Sequence, residues 1–439
     1  MPRSESGAAR KPRVIFVTMT FDPEPGNIRG LPLARWLAGR GYEVRVLTAF
    51  PNYPVGRLYP GYRMRPWMRE VMDGVPVLRV PIYPSHDTSA LRRIWTYLSF
   101  ALSAATLGVA LVGRGDLVYL YDPPPTNGLS ALILKLLWRA PVVHHIGDLW
   151  PESATDSGFL PQGRVNRLIK SVLGAYCRFL YRRADVITVL SPGFKRILME
   201  RGVPEAKLRV VYNWADEETF RPLERDQALA AELGMTGRFN FVFAGNLGYF
   251  QGLDTVIRAA AMVRDDPRIQ VVVVGTGALE GELKALAAEL RADNVRFVAR
   301  REIWEMPRIN ALADVLLVHL KDFPFMAVTI PSKTQVSLAS GRPVLLGARG
   351  DVADLVENAG AGVVVPPEDP AAMAAAMRRM AALPAGELER MGGRGREYYL
   401  EHLSLDVAGR EMDQIFEVLA RRRLAAPAAR RAQRALSDS

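Results

Sequence analysis

Short apolar runs alternate with segments of helical periodicity along nearly the whole chain. RVIFVTM (13–19), YEVRVLTA (42–49), DLVYLY (116–121), PVVHHIGD (141–148), DVITVLS (185–191) and LRVVYN (208–213) read as strands with helices between them. The alternation pauses over 214–238 and restarts at Phe239 with FNFVFAGN, IQVVVVGTG, NVRFVA, DVLLVHL, PVLLG and AGVVVP. Apolar strands separated by helices imply parallel sheets covered on both faces. Two such runs predict an α/β chain of two doubly wound, Rossmann-like domains facing a cleft. The expected boundaries are a disordered N-terminus over 1–12, a first domain over 13–213, a second over 214–395, a crossover helix over 396–420 and a basic tail over 421–439.

Three stretches depart from the alternation. Residues 50–89, rich in Pro, Tyr and Arg, read as a loop-rich insert. Ile94–Val112 carries no charge over 19 residues, close to the length of a membrane span. Thr96, Ser99, Ser103 and Thr106 interrupt it, arginines bracket it, and a strand follows at once. A helix packed in the first domain or touching a bilayer is the expectation. The tail from Arg421 holds six arginines and one acid, and is expected to be either a solvated, frayed end or a contact with an anionic membrane.

Composition narrows the choice. The chain has 439 residues, 49% apolar and 23% charged, as in a globular protein. Its formal charge of +11 admits an anionic substrate, an anionic membrane surface or nucleic acid. The basic residues are not interleaved with aromatics, which argues against nucleic acid. A single cysteine, Cys177, excludes a disulfide framework and a cysteine metal site. The first residues, MPRSESGAARKPR, lack the apolar core of a signal peptide, so cytoplasmic residence is expected.

Candidate chemistry gathers at strand ends, where ligands of doubly wound sheets bind. After the first strand comes FDPEPGNIRG: Gly26 and Asn27 loosen the backbone, Arg29 adds charge, and the next helix offers free N–H groups to a phosphate. VVHHIGDLWPES crowds two of the five histidines with Asp148 and Glu152. His144 and His145 face opposite ways on a strand, so one can reach a ligand while the other packs. His145 and Asp148 suit an acid, a base or a hydroxyl-orienting pair. Zinc is not expected, since no helical i, i+4 histidine pair is present. In the second domain Asn246, Gly248 and Gln251 follow one strand, Gly275 and Gly277 the next, and Lys321 the fourth. That last loop ends at Ser332, Lys333 and Thr334, where Ser332 can cap a helix and Lys333 can meet a phosphate. The three loops are expected to converge on one nucleotide site.

Taken together, FPNYPVGRLYPGYR, GDLWPES, ADVITVLSPGFKRIL, AGNLGYFQGLDTVIRAA, IPSKTQVSLASGRPVL and AGAGVVVPPEDP resemble the family 4 glycosyltransferases of GT-B fold. The likeness is to bacterial O-antigen and colanic-acid enzymes of the N-acetyl-L-fucosamine-transferase type. It implies a metal-independent, retaining hexosyltransferase without a cofactor. Its second domain would hold a nucleotide-diphosphate sugar, with a UDP-linked acetamido deoxyhexose expected. Its first domain would hold a polyprenyl-linked saccharide, at the inner membrane face. By this resemblance His145, Asp148 and Lys333 are the catalytic candidates; Gly26, Asn27, Arg29, Asn246, Gly248, Gln251, Gly275, Gly277, Lys321, Ser332 and Thr334 are the donor-binding ones. Three departures stand out. The family's Glu-x7-Glu positions are Val328 and Val336. Asn246 and Gln251 replace a basic pair, and Gly147 replaces a basic residue before DLWP. These departures keep open a non-catalytic partner of the same fold, and the fold itself also admits a nucleotide-sugar epimerase.

Overall fold

The computed structural model describes residues 11–25, 28–85, 89–152 and 164–437. The chain forms two compact units. The first takes in the described residues up to Leu190, Phe194–Val211 and those from Ala408 onward; the second is Ser191–Gly193 with Tyr212–Val407.

The first unit is built on β1 (Arg13–Val17), β2 (Glu43–Ala49), β3 (Met68–Met72), β4 (Val75–Val80), β5 (Leu117–Asp122), β6 (Val142–Ile146), β7 (Val186–Val189) and β8 (Leu208–Val210). They lie in the order β3-β4-β2-β1-β5-β6-β7-β8, all parallel except the β3–β4 pair. The chain moves one way from β1 to β2 and the other way from β5 to β8. The switch point therefore falls between β1 and β5, where a ligand site is favoured.

The insert over 50–89 is not all loop. MREVM and VPVLRV form a hairpin turned at Asp73 and Gly74, both at positive φ, and β4 pairs in parallel with β2. Pro76 and Arg79 hid this strand. Arg79 is wholly buried but satisfied: it bonds the Ala49 carbonyl at 3.0 Å and pairs with Glu70.

The long apolar segment is a helix from Ala90 to Val112, broken by one π-turn at Ala104–Gly108. Phe100, Ala104 and Val109 enter the core with Ile15, Leu47 and Val118. Gly108 fits because Leu47 lies where a Cβ would stand.

The C-terminal end differs from expectation. Ala385–His402 and Leu405–Ser437 are separate helices, and the return to the first unit begins at Ala408. No distinct tail starts at Arg421; the helix continues to Ser437. It lies flush against Trp36, whose ring occupies the space a side chain at Gly409 would need. Lys11 pairs with Asp413 at 2.7 Å, and the buried Phe416 stacks edge-on against Tyr42 at 5.7 Å and Tyr119 at 6.3 Å. Phe416→Ala removes these contacts, so it should lower the unfolding free energy by about 3–5 kcal/mol, read by urea titration.

The second unit has an all-parallel sheet of β9 (Phe239–Ala244), β10 (Ile269–Val274), β11 (Val295–Val298), β12 (Val315–His319), β13 (Val344–Gly347) and β14 (Gly362–Val365). Their order is β11-β10-β9-β12-β13-β14. The strands are nearly continuous in Val, Leu, Ile and Phe because both faces are covered. The direction of winding reverses between β9 and β12.

Candidate active site

The switch point of the second unit opens into a cavity of about 550 Å³, in the range of small-molecule sites. Ala244, Gly245 and Asn246 reach it from the end of β9, Val274 to Gly277 from β10, and Lys333 from the start of the helix Ser332–Ala339. Gly245 and Gly275 have positive φ, and a Cβ at Gly275 would run into the Gly245 carbonyl. A Cβ at Gly245 would likewise meet the Lys333 stem. Glycine at both positions lets the two loops touch and lets the lysine lie against Gly245.

Lys333 is the central charge. Its Nζ donates to Gln251 Oε1 and sits 4.6 Å from the centroid of the Phe243 ring. Among the described residues no carboxylate pairs with it, and burial pushes its ammonium down to about 8. The helix start adds unpaired N–H groups. A desolvated cation beside free backbone donors is suited to an anion with several oxygens.

Of the other residues singled out here, Asn246, Gly275, Gly277 and Ser332 line the cavity. Gly248 and Gln251 do not; Gln251 acts through Lys333. Ser332 does not cap the helix, since Pro331 holds that position without a side-chain bond. Thr334 is wholly buried and turned away from the cavity lining. Lys321 is engaged elsewhere, 3.9 Å from Glu368 and over the Tyr249 ring at 4.2 Å.

Sequence reasoning missed five cavity residues of note. Arg300 and Arg301 enter just beyond β11, Ile303 and Met306 form an apolar wall, and the buried Asn310 has its Oδ1 unbonded. The β11 end was a fourth loop on the same sheet edge, and topology alone would have included it. His319 was missed too. Its Nδ1 donates to the Gln251 carbonyl at 2.9 Å and its Nε2 accepts from the Glu368 amide at 3.2 Å. Burial lowers its pKa, so this neutral tautomer pins the loop that presents Gln251. Val336 lines the cavity one turn beyond Lys333, whereas Val328 is buried and does not.

In the first unit, β6 ends in a compact polar cluster. His144 Nε2 bonds Asp122 Oδ2 at 3.0 Å on one face of the strand. His145 Nδ1 bonds Thr188 Oγ1 at 2.7 Å on the other. The expectation that one histidine stays open is not met, because both are buried. His145 lies 5.5 Å from the Tyr121 ring, and burial, then the charges of Arg29 and His144, hold its pKa well below the ordinary value. Its Nε2 is buried without a hydrogen-bond partner among the described residues.

Asp148 is different. It is only partly covered, and burial followed by the nearby Asp122 raises its carboxyl to about 6. The smallness of Gly147 is explained locally. Its amide donates to the Asp122 carbonyl at 2.7 Å, and a Cβ would press on that same oxygen. Arg29 is wholly buried, with Nη2 donating to the Val211 carbonyl at 2.6 Å just beyond β8. Gly26 and Asn27 lie outside the described residues. Glu152 pairs with Arg201 at 2.7 Å. Glu24, also missed, accepts the amides of Phe21, Asn52 and Tyr53 and so fixes the loop after β1.

Two doubly wound units, one with a lysine-lined cavity at its switch point, have the GT-B architecture. Residues 29–214 match the glycosyl transferase 4-like domain and residues 238–382 match the glycosyl transferases group 1. The chain belongs to the family 4 glycosyltransferases and is an enzyme of that class. It is 28% identical over 381 residues to WcaI of Escherichia coli, named for colanic acid biosynthesis, covering 85% of this chain and 93% of WcaI. It is 26% identical over 301 residues to the glycosyltransferase WbjE of Pseudomonas aeruginosa, covering 67% and 73%. Among solved structures, HepE of Anabaena with UDP superposes at a TM-score of 0.67, with 14% identity and 92% and 100% coverage. Sucrose-phosphate synthase of Thermosynechococcus elongatus gives 0.69, with 19% identity and 93% and 99% coverage.

Proposed function

We propose that this enzyme moves a sugar from a nucleotide-diphosphate donor to a lipid-linked saccharide during cell-surface polysaccharide biosynthesis. The donor is a UDP-linked acetamido deoxyhexose, and neither metal nor cofactor takes part. Lys333 carries the reading: a half-buried lysine at a helix start and against Gly245, with no carboxylate paired to it among the described residues. The naming of WcaI for colanic acid and the binding of UDP by HepE support the same choice of reaction and donor.

The anomeric carbon–oxygen bond to the diphosphate breaks as a bond to the acceptor hydroxyl oxygen forms. The hydroxyl proton passes to the departing phosphate oxygen on the same face, and configuration is retained. Charge grows on the leaving diphosphate, where Lys333 and the helix amides meet it. Asp148 accepts a hydrogen bond from a sugar hydroxyl. The acceptor places the reaction at the inner face of the cytoplasmic membrane.

Calorimetric titration of the whole chain with UDP, in the presence of a chelator, tests the donor half. Saturable one-site binding that persists without metal is expected. Absence of binding to UDP and to every other nucleoside diphosphate would overturn the reading.

A further inference from the structure

We propose that Asn310 reads the base of the donor nucleotide. Its side-chain amide pairs with the imide edge of a uracil-type ring, the N3–H and the carbonyl next to it. A base in this cavity rests on the nucleotide donor proposed above. The choice of Asn310 as its reader comes from the second unit's own geometry.

Asn310 lies on the helix Met306–Leu312, is 2% exposed and lines the cavity. Its Oδ1 is buried without a hydrogen-bond partner. Two other buried asparagines of the unit give the contrast. Asn240 and Asn294 also leave Oδ1 unbonded, but each anchors its NH2 on a backbone carbonyl, Asn240 on Met235 at 2.9 Å and Asn294 on Ala260 at 3.0 Å. Neither lines the cavity. Among the described residues no such bond holds the Asn310 amide. A buried amide without a partner weakens a fold. One kept beside an open cavity is explained by a partner that arrives with the ligand.

The surroundings select that partner. Met306 lies one turn earlier on the same helix face, and Val242 of β9 and Leu316 of β12 line the same cavity. Among the described residues no Asp or Glu lines it. Apolar walls with one amide suit a flat ring whose polar groups sit on its edge. A sugar carries hydroxyls around its rim and would leave several of them unpaired against these walls. A diphosphate only accepts, so it would leave Oδ1 unsatisfied. An imide edge gives Oδ1 a donor and the NH2 an acceptor in one plane. With the base there, Lys333 is left to the diphosphate.

Calorimetric titration of the whole chain tests the assignment with three probes: UDP, N3-methyluridine diphosphate and 2′-deoxyuridine diphosphate. The N3-methyl compound has no proton for Oδ1 and should bind the native chain about ten- to a hundredfold more weakly than UDP. Asn310→Leu, a change of similar volume without the amide, should weaken UDP binding by about the same factor. Asn310→Ala, which leaves room for the methyl group, should bring UDP and the N3-methyl compound within about threefold of each other. Neither variant should alter the ratio of UDP to 2′-deoxyuridine diphosphate affinity. Without ligand, Asn310→Leu should unfold in urea no earlier than the native chain, because no bond is lost.

The first comparison needs no variant: native binding that ignores the N3 methyl overturns the assignment. A variant that shifts the 2′-deoxy ratio instead would give Asn310 to the ribose and overturn it as well. Earlier unfolding of Asn310→Leu together with lost UDP binding would make the residue structural, with the same consequence. A native chain that binds no nucleoside diphosphate overturns the nucleotide reading and the base site together, whereas UDP binding without N3 discrimination overturns the base site alone.

Discussion

Lys333→Ala lowers sugar transfer by about 10²–10³-fold while leaving the fold at least as stable. The loss has the size of removing one buried donor from a developing anion. The stability half follows from the sign of the pKa shift. Burial lowers the ammonium from an ordinary 10.5 to about 8, so the folded chain disfavours the charged form. That cost is fully present below pH about 8 and fades as pH rises toward 10.5. Alanine removes a charge that folding had to desolvate without an acid to repay it, so chemical denaturation at neutral pH should show no loss. Binding of UDP needs the protonated lysine. Affinity should fall by up to about tenfold between pH 8 and 9 in the native chain, and stay flat over that range in the variant. A variant that lost activity by unfolding would fail the denaturation arm.

Asp148→Asn carries the second large effect, about 10²-fold in turnover, if the ionised carboxyl is what holds the sugar hydroxyl. Its carboxyl is raised from 3.8 to about 6 by burial and by Asp122. In the native chain kcat/KM should therefore fall about tenfold per unit as pH drops below 6. The variant should lose that limb of the profile. The folded state disfavours the charged carboxylate, so this residue withdraws stability as pH rises from 3.8 through 6. The neutral amide should not destabilise the chain at pH 7. Turnover close to native, with the acid limb intact, would assign Asp148 to packing.

Much of the architecture was legible because its strands are apolar runs with helices between them. Both sheets, their parallel pairing and the strand-end position of Lys333 follow from that pattern. What escaped was polar residues hidden by compensation. β4 contains Pro76 and a wholly buried Arg79, which only the Glu70 and Ala49 partners make tolerable. Residue type alone could not separate His145 from Asp148. Both sit at the end of β6, yet one is closed in by Thr188 and two tyrosines while the other stays partly open.

The loss of acids at Val328 and Val336 has two local meanings. Val328 is packed away, whereas Val336 forms part of the cavity wall one turn from Lys333. The departure that bears on the ligand is therefore the second. Arg29 looked like a phosphate contact because a charge in a glycine loop usually faces solvent. Here its bond to Val211 turns it inward.

The proposed reaction passes a nucleotide-linked sugar held in the second unit's cavity to a lipid-linked acceptor. Incubation of the full chain with a panel of UDP-sugars and a bacterial lipid extract tests it most directly, with product mass read alongside UDP release. A saccharide lipid heavier by one transferred sugar and UDP released in matching amount are expected, with neither from Lys333→Ala. Intact donor and unchanged lipid masses across the panel, or free sugar released without any lipid adduct, would contradict it.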